Sequence, residues 1–253
     1  MNIYLQTLLI ALVLNIVFLI IAYYRKTDKF TDFTYGATFI IIAIYSLVRA
    51  ESRPLVSILL LWLILLWAAR LTSYLVYRIR TIKRDKRFDG IRENFRRFAN
   101  FWIGQAISAW IILLPTIYFF NHPDVKFTPL MAVGLAVWLL GFYFESIADM
   151  QKFTFIQDPK NKGKWINVGL WKRSRHPNYF GEISMWLGIY LFCLPVMSLS
   201  AAIVCFASPL LIFVLLRFVS GIPILEKQAE AKWGKDKEYQ QYRETTPLLV
   251  PKI

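Results

Sequence analysis

Ile183–Leu216, I-S-M-W-L-G-I-Y-L-F-C-L-P-V-M-S-L-S-A-A-I-V-C-F-A-S-P-L-L-I-F-V-L-L, runs for 34 residues without a charged side chain. A helix crosses the hydrocarbon core of a bilayer in about 20 apolar residues, so this stretch is too long for one span. Pro195, followed by Ser198 and Ser200, supplies a turn that divides it into two helices. Upstream, uncharged runs recur at Met1–Tyr24, Phe33–Val48, Leu55–Ala69, Phe98–Asn121 and Phe127–Phe144. At 57% hydrophobic and 17% aromatic residues, the chain reads as an all-α polytopic membrane protein with about seven spans, not as a soluble domain.

The charges fit that count. Arg25–Lys29, Arg78–Arg97, Lys152–Arg175 and Arg217–Lys252 hold 26 of the 30 lysines and arginines. The alternate loops hold Arg49, Arg53 and Lys126, and Arg70 lies within a span. Basic loops stay on the cytoplasmic side, which puts the N-terminus outside and the C-terminus in the cytoplasm of a bacterial inner membrane or an endoplasmic reticulum. The net charge of +14 is thereby accounted for mostly by topology and anionic lipid. There is no nucleic-acid-binding module and no sign of an obligate protein partner. Met1–Tyr24 lacks a basic leader and a small-residue cleavage site, and reads as a retained first span. Cys193 and Cys205 lack metal-ligand spacing, and His122 and His176 are too few for a histidine-rich metal site.

The expected organisation is one membrane domain, 1–253, with an N-terminal half over 1–120, whose first two spans look like scaffold, and a cofactor-binding half over 127–253. Arg80–Arg97 places Phe88, Ile91 and Phe95 at helical spacing among charges, the pattern of a surface-lying amphipathic helix. The third span carries Arg70 and, one turn on, Tyr74. An arginine at that depth either serves a substrate or is structural, reaching to the headgroups or pairing with Glu145 or Asp149. Gln105 in the fourth span is either a pocket residue or an interhelical hydrogen-bonder.

Chemistry concentrates further on. Trp165–Glu182, W-I-N-V-G-L-W-K-R-S-R-H-P-N-Y-F-G-E, gathers Lys172, Arg173, Arg175 and His176, then Pro177 at a first helical turn, then Asn178, Tyr179 and Glu182 on one helix face. Before it, the fifth span is expected to end at Glu145 and Asp149, with Lys152 on the same side and a turn-rich loop over Phe153–Lys164. The two carboxylates can bond ribose hydroxyls, hold a basic residue, or simply be solvated. After it, Arg217 closes the last span. Ile224–Arg243 is amphipathic and broken near Gly234, and the Pro-bounded tail is expected to fold back over the site.

R-H-P-N-Y-F-G-E at Arg175–Glu182, with G-L-W before it, resembles the C-terminal signature of the steroid 5α-reductase-like family of integral membrane reductases, particularly its bacterial branch. F-E-S-I-A-D-M-Q-K at Phe144–Lys152, L-R-F-V-S-G-I-P-I-L-E at Leu216–Glu226 and Y-Q-Q-Y-R-E-T-T-P-L-L-V-P at Tyr239–Pro251 are similar to the same branch. The resemblance implies hydride transfer from NADPH to an activated carbon–carbon double bond of a lipophilic substrate. No G-x-G-x-x-G follows a strand, so the cofactor must sit among helix ends. There Lys152, Lys172, Arg173, Arg175, Arg217 and Arg243 are candidates for phosphates. Asp149, Asn178 and Tyr179 are candidates for ribose or amide and Glu145 for ribose hydroxyls, Trp171, Phe180 and Trp186 for walls, and His176 and Tyr242 are also expected at the cofactor. Reduction of a conjugated enone needs a proton donor or strong hydrogen bond at the carbonyl oxygen, for which Tyr74 and Glu182 are the candidates, with Arg70 and Gln105 toward substrate. The second span, read as starting at Phe33, lacks the substrate-holding glutamate of the family, so a steroid 3-ketone is not implied. R-H-P-x-Y also occurs in membrane methyltransferases that bind S-adenosylmethionine, which is the alternative reading.

Overall fold

Long apolar runs in lipid satisfy their backbone polar groups within the segment by forming α-helices. The computed structural model describes residues 2–82 (backbone alone over 78–82), 88, 90–122 and 125–252, and no strand occurs among them. The helices are α1 (Ile3–Tyr24), α2 (Thr31–Arg49), α3 (Leu55–Ile82), α4 (Phe95–Phe120), α5 (Pro129–Gln157), α6 (Pro177–Cys193), α7 (Leu199–Cys205), α8 (Ala207–Val214), α9 (Ile222–Trp233) and α10 (Lys237–Thr245). Seven helical stretches among the described residues are long and apolar enough to cross a membrane, the last running Leu199–Trp233. The protein is therefore a multi-pass membrane protein.

Several boundaries differ from the sequence reading. α2 begins at Thr31, so the second span does carry an acidic residue, Asp32, in its first turn. α5 does not stop at Glu145 and Asp149 but continues to Gln157, so part of the expected loop is helix. Both carboxylates are buried, so the charges do not mark a solvated helix end. The last span is interrupted: α7 and α8 are separate, and Leu215–Val219 is a π-helical segment carrying Arg217. Such insertions are uncommon and are frequent at functional sites. The surface helix expected over Arg80–Arg97 lies partly outside the described residues. In its described part, 80–82 continue α3, 90–93 form a turn, and 95–97 open α4.

The chain divides into two compact units, Met1–Thr128 with Cys193–Ser208, and Pro129–Phe192 with Pro209–Ile253. In the first, α1 to α4 pack around Phe39, Ile42, Leu60, Ile64, Trp67, Trp102 and Ile112, all fully or almost fully buried. Leu9, Val13, Ile16, Val17 and Ile20 of α1 stay exposed, as a lipid-facing surface requires. Polar groups tie the helices: Asn15 Nδ2 donates to Thr38 Oγ1 at 3.0 Å, and Trp110 Nε1 to the Tyr4 carbonyl at 3.1 Å.

In the second unit α5 and α6 approach at backbone distance. A Cβ on Gly134 would stand 2.5 Å from the Phe192 nitrogen, and one on Gly188 2.6 Å from the Trp138 nitrogen. A turn or two along, a Cβ on Gly141 would stand 2.5 Å from the Gly181 carbonyl, and one on Gly181 2.4 Å from the Glu145 nitrogen. Gly134 and Gly141 are seven residues apart, as are Gly181 and Gly188. The pairing is antiparallel and brings the C-terminal part of α5 alongside the N-terminus of α6.

Candidate functional site

The turn that leads into α6 is held from both sides. Gly169 has φ 56°, a left-handed conformation, and a Cβ there would stand 2.3 Å from Gln151 Nε2, so glycine is required twice over. Gln151 Oε1 accepts from the Leu170 N–H at 2.9 Å, and Trp171 Nε1 donates to the Ala148 carbonyl at 3.0 Å. These bonds fix Gly169–Lys172 against α5. On the other side lies the C-terminal tail: Arg175 N donates to Pro247 O at 2.9 Å, Ser174 Oγ to Leu249 O at 2.7 Å and Lys252 N to Arg173 O at 2.9 Å. Tyr242 completes the clamp by donating to the Trp171 carbonyl at 2.8 Å.

Within this frame Glu226 of α9 is the electrostatic centre. One carboxylate oxygen pairs with Arg175 Nη1, and the other lies 2.8 Å from His176 Nε2. A carboxylate accepts, so His176 carries its proton on Nε2 in the neutral ring and leaves Nδ1 as an acceptor. Burial pushes the His176 imidazole below its ordinary value, against the Glu226 hydrogen bond that raises it. Its ring stacks on Tyr179 at 5.6 Å and 9°. Burial likewise raises the phenols of Tyr239 and Tyr242, which keeps both protonated.

Beside Glu226 opens a cavity of about 340 Å³. Its walls are aromatic, with Phe155, Trp165, Trp171, Trp233, Tyr239 and Tyr242. Its cations are Lys152, Lys164, Arg175 and Lys232. Lys152 Nζ stands 5.0 Å over the Trp171 ring and Lys232 Nζ 4.4 Å over the Trp233 ring. Trp165 Nε1, Arg175 Nε and His176 Nδ1 are buried and have no partner among the described residues. One turn from Lys152, Asp149 Oδ1 accepts from Asn178 Nδ2 at 3.2 Å, and Asn178 Oδ1 is a further buried acceptor without a described partner.

The expected residues distribute as follows. Lys152, Trp171, Arg175, His176 and Tyr242 line the cavity, and Asp149 and Asn178 pair directly. Glu145 is buried on α5, while Tyr179 and Glu182 are half-buried on α6. Arg173 and Lys172 are exposed and do not line the cavity. Arg243 pairs with Glu230, and Arg217 lies 4.9 Å over the Phe218 ring. Arg70, Tyr74 and Gln105 belong to the other unit. There the Gln105 amide bonds Asn15 Oδ1 at 3.0 Å and the Thr31 carbonyl at 3.3 Å, tying α4 to α1 and α2. Glu226, Lys164 and Lys232 were not among the sequence candidates, although Glu226 closes the stretch Leu216–Glu226 read as family-like. No group of three or more metal-ligating side chains occurs among the described residues.

Fold and site together define a multi-pass membrane protein with an aromatic, cation-rimmed cavity formed by the C-terminal end of α5, the turn leading into α6, α9 and α10. Residues 18–246 match the family described as "Protein of unknown function (DUF1295)", and the chain belongs to that family. No curated protein and no solved structure matches it.

Proposed function

We propose that the protein is a membrane-embedded reductase that takes hydride from NADPH and delivers it to an activated double bond of a lipophilic substrate. The observation that carries the reading is the charge of the cavity, four cations against one carboxylate that is already paired to Arg175 and His176. Such a rim favours a polyanion. Bound NADPH would supply the hydride; the protein supplies position and charge.

The donor set fits. Lys152, Lys164 and Lys232 meet phosphate oxygens, and the Arg175 Nε and Trp165 Nε1 hydrogens are placed for acceptors on the ligand. His176 Nδ1 accepts from an amide or amino group, and the Asp149–Asn178 pair orients a ribose or carboxamide. At about 340 Å³ the cavity is at the lower end of ligand pockets, which run from about 300 to 1,000 Å³, so it takes one nucleotide half and the other half extends beyond its rim. Glu182, four residues after Asn178 on α6, is the proton donor that this unit offers. The basic loops support an orientation with the N-terminus outside and the C-terminus cytoplasmic, where NADPH is found.

The alternative is an S-adenosylmethionine-dependent methyltransferase, and one observation favours it: a single adenosyl ligand fits whole in a cavity of this size. Against it, a sulfonium cation meets four like charges, and the two tryptophan faces best suited to it already carry lysines. Thermal melting in detergent separates the two, because a ligand that binds only the folded state raises the melting temperature. NADPH is expected to raise it and S-adenosylmethionine to leave it unchanged; the reverse result would overturn the reductase.

A further inference from the structure

The loop joining α1 to α2 carries an opening of about 750 Å³, whose described lining is Tyr23 to Lys29 with Arg92 and Glu93. We propose that this loop binds the phosphate headgroup of an anionic phospholipid through Arg25, Lys26 and Lys29. The inference does not rest on the reductase reading.

Place comes first. α1 and α2 both have the length and composition of spans, so the loop lies where two helices leave the bilayer, at headgroup depth. Tyr24, the last residue of α1, is 83% exposed, as suits an aromatic ring at the membrane–water boundary.

Charge comes second. Among the described residues the opening has two carboxylates, and both are held by one guanidinium: Arg92 Nη1 lies 2.9 Å from Asp28 Oδ1, and its Nε 3.4 Å from Glu93. Asp28 is buried by this pairing. Arg92 is itself fixed by its N–H bond to the Phe88 carbonyl at 3.1 Å, and Phe88 is buried with Leu19, Ala22, Phe98 and Trp102. Arg25, Lys26 and Lys29 are all exposed, and no carboxylate among the described residues pairs with them. The described lining of the opening is net positive, with Arg25, Lys26, Lys29 and Arg92 against Asp28 and Glu93.

Backbone geometry comes third. Lys26 N donates to Tyr23 O at 3.1 Å and Thr27 N to Ala22 O at 3.0 Å, which closes α1 in a Schellman turn with Lys26 at the left-handed position, φ 47°. Glycine is the usual residue there. A lysine is retained at a conformational cost. The helix dipole favours cations after α1, but it disfavours Lys29, which precedes the N-terminus of α2. An anionic ligand accounts for all three.

The test uses the full chain in zwitterionic detergent, titrated with short-chain phosphatidylglycerol, phosphatidylcholine or inorganic phosphate. Phosphatidylglycerol is expected to raise the melting temperature, and the other two are not. Replacing Arg25, Lys26 and Lys29 together with glutamine is expected to weaken that effect at least tenfold, each cation near a lipid surface contributing about fivefold. Lys26→Gly is expected to melt higher than the parent without lipid, yet to respond to phosphatidylglycerol more weakly. A triple variant that responds like the parent, equal stabilisation by phosphatidylcholine, or a full effect from inorganic phosphate alone would each overturn the proposal.

Discussion

Truncating Glu226 strands a largely shielded guanidinium, since the Arg175 side chain is 14% exposed and the carboxylate is its counter-charge. Hydrogen bonds to charged groups contribute about 1.5–3 kcal/mol, so Glu226→Ala is expected to cost that much and to lower the melting temperature. A double-mutant cycle with Arg175→Met checks it: the pair together loses less than the sum of the singles. His176 adds a pH signature. Its folded value is depressed from the ordinary 6.5, so the unfolded chain takes up the proton first. Stability is therefore full above about pH 6.5 and falls as pH drops toward the folded value. His176→Gln, which keeps a donor toward Glu226, is expected to flatten that fall between pH 7.5 and 5.5; an unchanged fall in the variant would show that other groups cause it. Arg175, His176 and Asn178 were legible because they share one short motif. Glu226 was not: it lies about fifty residues away on an amphipathic helix, and a contact that long in sequence leaves no local pattern. The role of Lys152 over Trp171 was half legible, from its spacing to Asp149 but not from anything that named its aromatic partner.

At the scale of elements, the glycine faces of α5 and α6 set how Asp149 reaches Asn178. Added volume at such a contact costs about 1–3 kcal/mol, so Gly181→Ala is expected to destabilise by that amount. Gly104, where a Cβ would meet nothing within 4 Å, is the control: Gly104→Ala is expected to be neutral or to gain up to about 1 kcal/mol. Melting both variants side by side decides it, and equal effects would mean that the close approach does not limit packing. The ends of α6 were readable because Pro177 opens it and Pro195 follows it. The end of α5 was not. Glu145 and Asp149 look like an interface in sequence, but both are buried by protein, and the helix runs on to Gln157.

For the whole molecule, seven apolar stretches were legible because span length is set by bilayer thickness and not by any tertiary contact. The place of Cys193–Ser208 was not, because it joins the first unit from the far end of the chain. The proposed orientation puts 152–175 on the cytoplasmic side and 50–54 outside. With the native cysteines replaced, Lys162→Cys is expected to react with a membrane-impermeant thiol reagent only in inside-out vesicles, and Glu51→Cys only in right-side-out ones; the opposite pattern would invert the topology.

The most direct measurement is a binding titration read from the tryptophans of the cavity, Trp165, Trp171 and Trp233, whose emission the reduced nicotinamide absorbs. NADPH is expected to quench them saturably, with at least tenfold weaker binding in Arg175→Ala and in Asn178→Ala. Quenching by S-adenosylmethionine alone, or an NADPH curve that neither substitution moves, would contradict a nucleotide site in this cavity.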